Sequence, residues 1–88
     1  MQDLDWNLLK SFLAVVETGS LTAAAKQLNA SQPTLGRHIA ELESCIGATL
    51  LRRTPQGQEI TEAGAAFLAD IRAMREASDA ILRRASGA

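Results

Sequence analysis

The stretch Ser20-Leu-Thr-Ala-Ala-Ala-Lys-Gln-Leu28, Asn29-Ala30-Ser31, Gln32-Pro-Thr-Leu-Gly-Arg-His-Ile-Ala-Glu-Leu-Glu-Ser-Cys-Ile46-Gly47 holds two helix patterns with three residues between them. Ser20 sets a hydroxyl before the free N–H groups of the first, the preferred chemistry of an N-cap. Ala24, Ala25 and Leu28 then make a narrow, small-residue face that lets another helix approach closely. Ser31 caps the second pattern. Pro33 is tolerated in its first turn because the N–H that proline lacks has no helical partner there. Leu35, Ile39, Leu42 and Ile46 recur at i, i+4, i+7 and i+11, the spacing of a buried stripe, and Gly47 is the stop. Two short helices across a tight turn make a helix-turn-helix. The second helix projects Gln32 and Arg37 from its opening turns, where a DNA-reading helix places its base contacts.

On the N-terminal side, Asp5 is a cap for a helix from about Trp6 to Thr18. Trp6, Leu9, Phe12, Leu13 and Val16 fall on one stripe, and Gly19 ends the helix. On the C-terminal side, Thr54-Pro55-Gln56-Gly57 suits a tight turn, with Pro second and Gly fourth. Its flanks, Leu50–Arg53 and Gln58–Ile60, read as a two-stranded hairpin, and a hairpin directly after a reading helix is a wing. Arg52 and Arg53 point to opposite faces of such a strand, so only one can face a ligand.

Thr61 caps a last helix, and Glu62 suits its positive N-terminal end. No proline follows, so this helix reaches about Ala85, roughly 24 residues and about 36 Å at ~1.5 Å per residue. Ala63, Phe67, Ile71, Met74, Ser78 and Ile81 step along it at near-heptad spacing, an apolar seam on a helix too long for this small body to cover. Asp79 and Arg83 are spaced as an i, i+4 ion pair. The expected fold is mainly α: a winged helix-turn-helix of three helices and a short β-hairpin over residues 1–60, then a linker and dimerisation helix over 61–88.

Composition constrains the partners. Apolar residues make up 47% of the chain, enough for a packed core, and aromatics are only Trp6, Phe12 and Phe67, so that core is aliphatic. The formal net charge of −1 is unusual for a nucleic-acid binder. Its distribution matters more: between Thr22 and Gln58 the cations are Lys26, Arg37, Arg52 and Arg53 against two acids, Glu41 and Glu43. The single cysteine, Cys45, has no internal partner for a disulfide, which fits a reducing compartment. With no apolar run of the roughly 18–20 residues a membrane span requires and no signal pattern at the start, the expectation is a cytoplasmic location and no membrane partner.

The order helix, helix-turn-helix, wing, long helix resembles the DNA-binding domain of LysR-type transcriptional regulators. The resemblance rests on Phe12-Leu-Ala-Val-Val-Glu-Thr-Gly-Ser-Leu-Thr-Ala-Ala-Ala25, Ser31-Gln-Pro-Thr-Leu35, Leu42-Glu43, Ile46-Gly47, Leu50-Leu51-Arg52-Arg53 and Thr61-Glu-Ala-Gly64. It covers nearly the whole chain. It implies bacterial gene regulation through double-stranded DNA, by an antiparallel homodimer on a partly palindromic site. It also implies an effector-binding domain beyond this stretch, so that a small-molecule effector acts only through that missing part, and no cofactor in this one. By position it places Ser31, Gln32, Pro33, Thr34, Gly36 and Arg37 in or near the major groove, with Arg53 and the wing residue Gln56 on the backbone or minor-groove edge. The apolar seam of the last helix assigns dimerisation to Phe67, Ile71, Met74 and Ile81. Three residues depart from the family's pattern: Gly36 stands where Ser is usual, His38 where Gln is frequent, and Leu51 where Phe is frequent.

Other readings are weaker. A helical interaction module would share the fold, but it has no reason to gather Gln32 and Arg37 on one exposed helix end upstream of a basic wing. No nucleophile–base pair suggests an enzyme. His38 lacks a second ligand at metal spacing and reads as a helix-surface residue. Cys45, beside the stripe of the third helix, reads as a small core residue. Gly57 reads as serving the turn.

Overall fold

Four capped helices and one hairpin make up the fold of the described residues, in the order α1 (Trp6–Thr18), α2 (Leu21–Leu28), α3 (Gln32–Ile46), β1 (Leu51–Thr54), β2 (Gly57–Ile60) and α4 (Glu62–Ala85). The structure is a computed structural model and describes residues 3–87. Each helix starts at the residue its cap predicts. Asp5, Ser20, Ser31 and Thr61 accept from the N–H groups of Asn7, Ala23, Thr34 and Gly64 respectively. Gly19 and Gly47 close α1 and α3 in the left-handed region, each at φ +84°.

Helix α1 is the centre of the molecule. Leu9, Phe12 and Val15 are fully buried on it, with Leu8, Leu13 and Ala14 beside them. Ala24 and Ala25 bring α2 close, Leu35, Ile39 and Leu42 seat α3, and Leu50 plugs the base of the wing. At about 1.5–3 kcal/mol per buried large aliphatic side chain, these contacts dominate the stability of the helix-turn-helix.

The hairpin is antiparallel, with Leu51 opposite Ile60, Arg52 opposite Glu59, Arg53 opposite Gln58 and Thr54 opposite Gly57. Its strands lie about a residue from the expected limits. One of its attachments to the body is made by backbone. The Gln58 N–H donates to the Gly19 carbonyl at 2.9 Å. Gly57, at φ +131°, lies so near that a Cβ would meet the same carbonyl oxygen. Gly57 therefore serves the turn and also permits this approach.

Four expectations need correction. Cys45 is exposed rather than in the core: it lies about 100° round the helix from Ile46, which is itself only half-buried, so the last turn of α3 overhangs the core. His38 is half-buried and bonded to Ser11, not a free surface residue. Ile71 is 4% exposed, packed under the body by the contact of α4 with α1, so the seam is covered at that position. Asp79 and Arg83 do not pair; among the described residues the ion pairs are Arg52–Glu59 and Arg75–Glu17.

Candidate nucleic-acid interface

The start of α3 and the face of the hairpin enclose one open groove. Its walls are Leu21, Gln32, Pro33 and Gly36 on the helical side and Arg53 and Gln58 on the wing. It continues along Ser20, Thr22 and Gly57. The N-termini of α2 and α3 both open near it, so two sets of free N–H groups and an arginine favour an anionic ligand there.

Within the groove the strand alternation separates the two arginines. Arg52 turns away and donates to the Glu59 carboxylate across the ladder at 2.7 Å. Both side chains are more than half exposed, so the pair is worth less than about 1 kcal/mol. Its consequence is directional, since Arg52 is occupied and Arg53 alone faces α3. Gln58, opposite Arg53 in the register, lines the same wall. Alternation allowed only one of the two arginines to face the groove and the family resemblance chose Arg53; neither reached Gln58, although the strand partner of a ligand-facing residue shares its face.

On α3, Ser31, Gln32 and Pro33 are exposed. The Ser31 hydroxyl caps the helix and also bonds the Thr34 hydroxyl at 2.8 Å. Arg37 is exposed and reaches Thr34 Oγ1 at 3.5 Å, a weak tether that leaves the guanidinium free to move. Gly36 has open space beyond its Cα. Gln56 sits exposed in the hairpin turn, outside the groove, with its N–H on Thr54 Oγ1. The predicted residues thus divide into three sets: Gln32, Pro33, Gly36 and Arg53 share the groove, Ser31, Thr34 and Arg37 border it, and Gln56 stands at the tip.

Two supports escaped the sequence reading. Glu43 Oε2 accepts from the N–H groups of Leu50 at 2.6 Å and Leu51 at 3.2 Å, fastening the end of α3 to the root of the wing. Buried Ser11 donates to the Asn7 carbonyl at 3.1 Å and meets His38 Nδ1 at 2.7 Å, joining α1 to α3. No group of three or more His, Cys, Asp or Glu among the described residues could hold a metal ion.

The comparisons agree with this geometry. The family model described as bacterial regulatory helix-turn-helix protein, lysR family, matches residues 6–65. The chain belongs to the LysR family. Among its LysR relatives is the HTH-type transcriptional regulator TcbR of Pseudomonas sp. (strain P51), 45% identical over 73 residues, which are 83% of this chain and 25% of that protein. Among solved structures, the CbnR DBD–DNA complex superposes with a TM-score of 0.84 at 40% identity, covering 96% of this chain and 97% of that one. The BenM DBD/catB site 1 DNA complex gives a TM-score of 0.86 at 31% identity over 94% of this chain and 93% of that one. The fold is therefore the winged helix-turn-helix of LysR DNA-binding domains, three helices and an antiparallel hairpin followed by a long helix. The chain spans about a quarter of the length of TcbR.

Proposed function

We propose that this chain is the sequence-specific DNA-binding part of a bacterial transcriptional regulator and acts as a homodimer on a partly palindromic site. The observation that carries the reading is the groove itself. It sets Gln32 at the start of α3 opposite Arg53 on the wing, with the competing cation Arg52 held away by Glu59. An amide can bond adenine N6 and N7 together, and an arginine can bond guanine or phosphate. In this reading α3 enters the major groove, Gln32 and Arg37 read base edges, and Ser31, Thr34 and the helix N-termini hold phosphates. Arg53, with Gln56 at the tip, follows the backbone or minor-groove edge.

The wider assignments belong to the same proposal. Residues 1–60 form the DNA-binding unit and 61–88 the linker and dimerisation helix. An effector acts through a domain outside this stretch, the location is cytoplasmic, and this part carries out no catalysis and holds no cofactor. Selection of bound duplexes from a random pool tests the reading. The expected result is two related half-sites in inverted orientation, and recovery of no enriched sequence would favour a protein-interaction role for the same fold.

A further inference from the structure

We infer that Thr22 is a positioning residue for base readout, holding the Gln32 carboxamide in its reading orientation from across the helix-turn-helix. The inference rests on the DNA-reading role proposed for Gln32. Thr22 Oγ1 donates to Gln32 Oε1 at 3.2 Å, a contact between α2 and α3 ten residues apart in sequence. Both side chains are exposed and both line the groove that faces Arg53 and Gln58.

Nothing in the fold asks for this hydroxyl. The cap of α2 is already made by Ser20, whose Oγ accepts from the Ala23 N–H. Thr22 lies outside the core, and its hydroxyl makes no other side-chain hydrogen bond among the described residues. A β-branched residue also costs some helix propensity at a solvent-facing site.

The chemistry suits a reading amide. Glutamine has three rotatable bonds and a high rotamer entropy, so a free Gln32 must be ordered each time it meets a base edge. It can also present its oxygen and nitrogen in either of two flipped orientations. A hydroxyl bonded to the carboxamide restricts the rotamers the side chain samples, and with Oε1 as the acceptor it sets the edge presented. The oxygen has two acceptor sites, so one remains for an adenine N6 amino group while the amide N–H donates to N7. Polarisation of the carbonyl by the hydroxyl strengthens the second bond. Thr22 thereby acts on specificity through Gln32 rather than by touching DNA.

The test uses the full chain and the duplex recovered from the random pool, with the four base pairs exchanged in turn at each half-site position. Binding is measured for wild type, Thr22→Val, Thr22→Ser, Gln32→Ala and the double variant Thr22→Val/Gln32→Ala, and each variant's fold is checked by thermal melting. An exposed hydrogen bond of ordinary strength corresponds to a change of about two- to tenfold. Thr22→Val is expected to lose that much discrimination, at the same base pair that Gln32→Ala flattens, with affinity for random duplex within about twofold of wild type. Thr22→Ser restores discrimination. The double variant is no worse than Gln32→Ala, because Thr22 has nothing left to position.

Unchanged discrimination in Thr22→Val overturns the inference, as do losses that add in the double variant. Equal weakening on all duplexes at an unchanged salt slope also overturns it, by making Thr22 an uncharged phosphate contact. A Gln32→Ala chain that keeps the wild-type preference removes the reader on which the inference rests. Failure of wild type to enrich any duplex is a separate result that rejects DNA reading as a whole.

Discussion

Gly36 stands where the family resemblance leads one to expect serine, and its surroundings say what a glycine does there. It lies inside α3, one turn after Gln32, with open space where a Cβ would project. A glycine inside a helix costs about 0.5–1 kcal/mol relative to alanine, and here no close approach requires it. Gly36→Ala is expected to stabilise the fold by about that amount, measured by chemical denaturation; a destabilised variant would mean that α3 needs the extra freedom. Arg53 poses a different question, because the net charge of −1 hides a local cation. With Arg52 neutralised by Glu59, Arg53→Ala is expected to weaken all duplexes alike and to lower the slope of log K against log salt by about one unit. An unchanged slope would take Arg53 off the backbone. Gln32 was legible in sequence because a cap followed by polar residues sets side-chain direction locally; two arginines on a strand had to face opposite ways, and the family resemblance chose Arg53 between them. Thr22, Gln58 and the Ser11–His38 bond were not, because each depends on how far apart two elements come to rest.

Between elements, the wing is held to α3 by a carboxylate. Glu43 satisfies two backbone N–H groups at the root of β1, on Leu50 and Leu51, both of which carry buried side chains. Beside it the Thr61 N–H donates to the Leu50 carbonyl at 3.0 Å and the Thr61 hydroxyl donates to the Thr49 carbonyl at 2.6 Å. A Cβ on Gly64 would strike that Leu50 carbonyl. The start of α4 and the end of α3 therefore converge on one turn of chain. Removing a charged acceptor leaves two donors unpaired, at about 1.5–3 kcal/mol for a hydrogen bond to a charged group. Glu43→Ala should lower stability by about 2 kcal/mol, and hydrogen exchange should show Leu50 and Leu51 amides losing protection ahead of those in α1. Equal loss of protection throughout would mean that the wing does not open separately. The element limits were readable from caps and stops. The position of Glu43 in the Leu42-Glu43 pair was visible too, but its role was not, since the donors it meets lie seven and eight residues on and are brought back only by the turn at Gly47.

At the scale of the whole molecule, what is left uncovered is an apolar face of α4, with Phe67 39% exposed on its first half and most of its outer half open. At its middle the helix is tied down: Ile71 is buried against the body and Arg75 grips the Glu17 carboxylate at 2.8 and 2.9 Å. Between and beyond these two contacts Met74 is 44% exposed, and Ile81 and Leu82 are each 66% exposed. With Trp6, Ala77 and Ser78 they line an apolar groove of about 340 Å³ between the ends of α4 and α1. Heptad spacing anticipated Met74 and Ile81; it placed Ile71 on the same seam, where α1 in fact takes it, and it passed over Leu82 and Trp6, which join the face only because the two helix ends lie side by side. An exposed apolar patch of this kind on a small domain marks an interaction surface, and the proposed homodimer is its occupant. Ile81→Asp tests this with little risk to the fold, because the side chain lies mostly outside the chain's own core. Placing a charge in an apolar interface without a partner is costly, so the variant should sediment as a monomer at concentrations where wild type is a dimer. Its melting curve measured at high dilution should match that of wild type. Affinity for a single half-site should be nearly unchanged while affinity for the full inverted site falls, since joining two half-site contacts raises avidity by about 10²–10⁴ when geometry allows both to engage. Wild-type protein that sediments as a monomer at high micromolar concentration would show that this face serves a different partner.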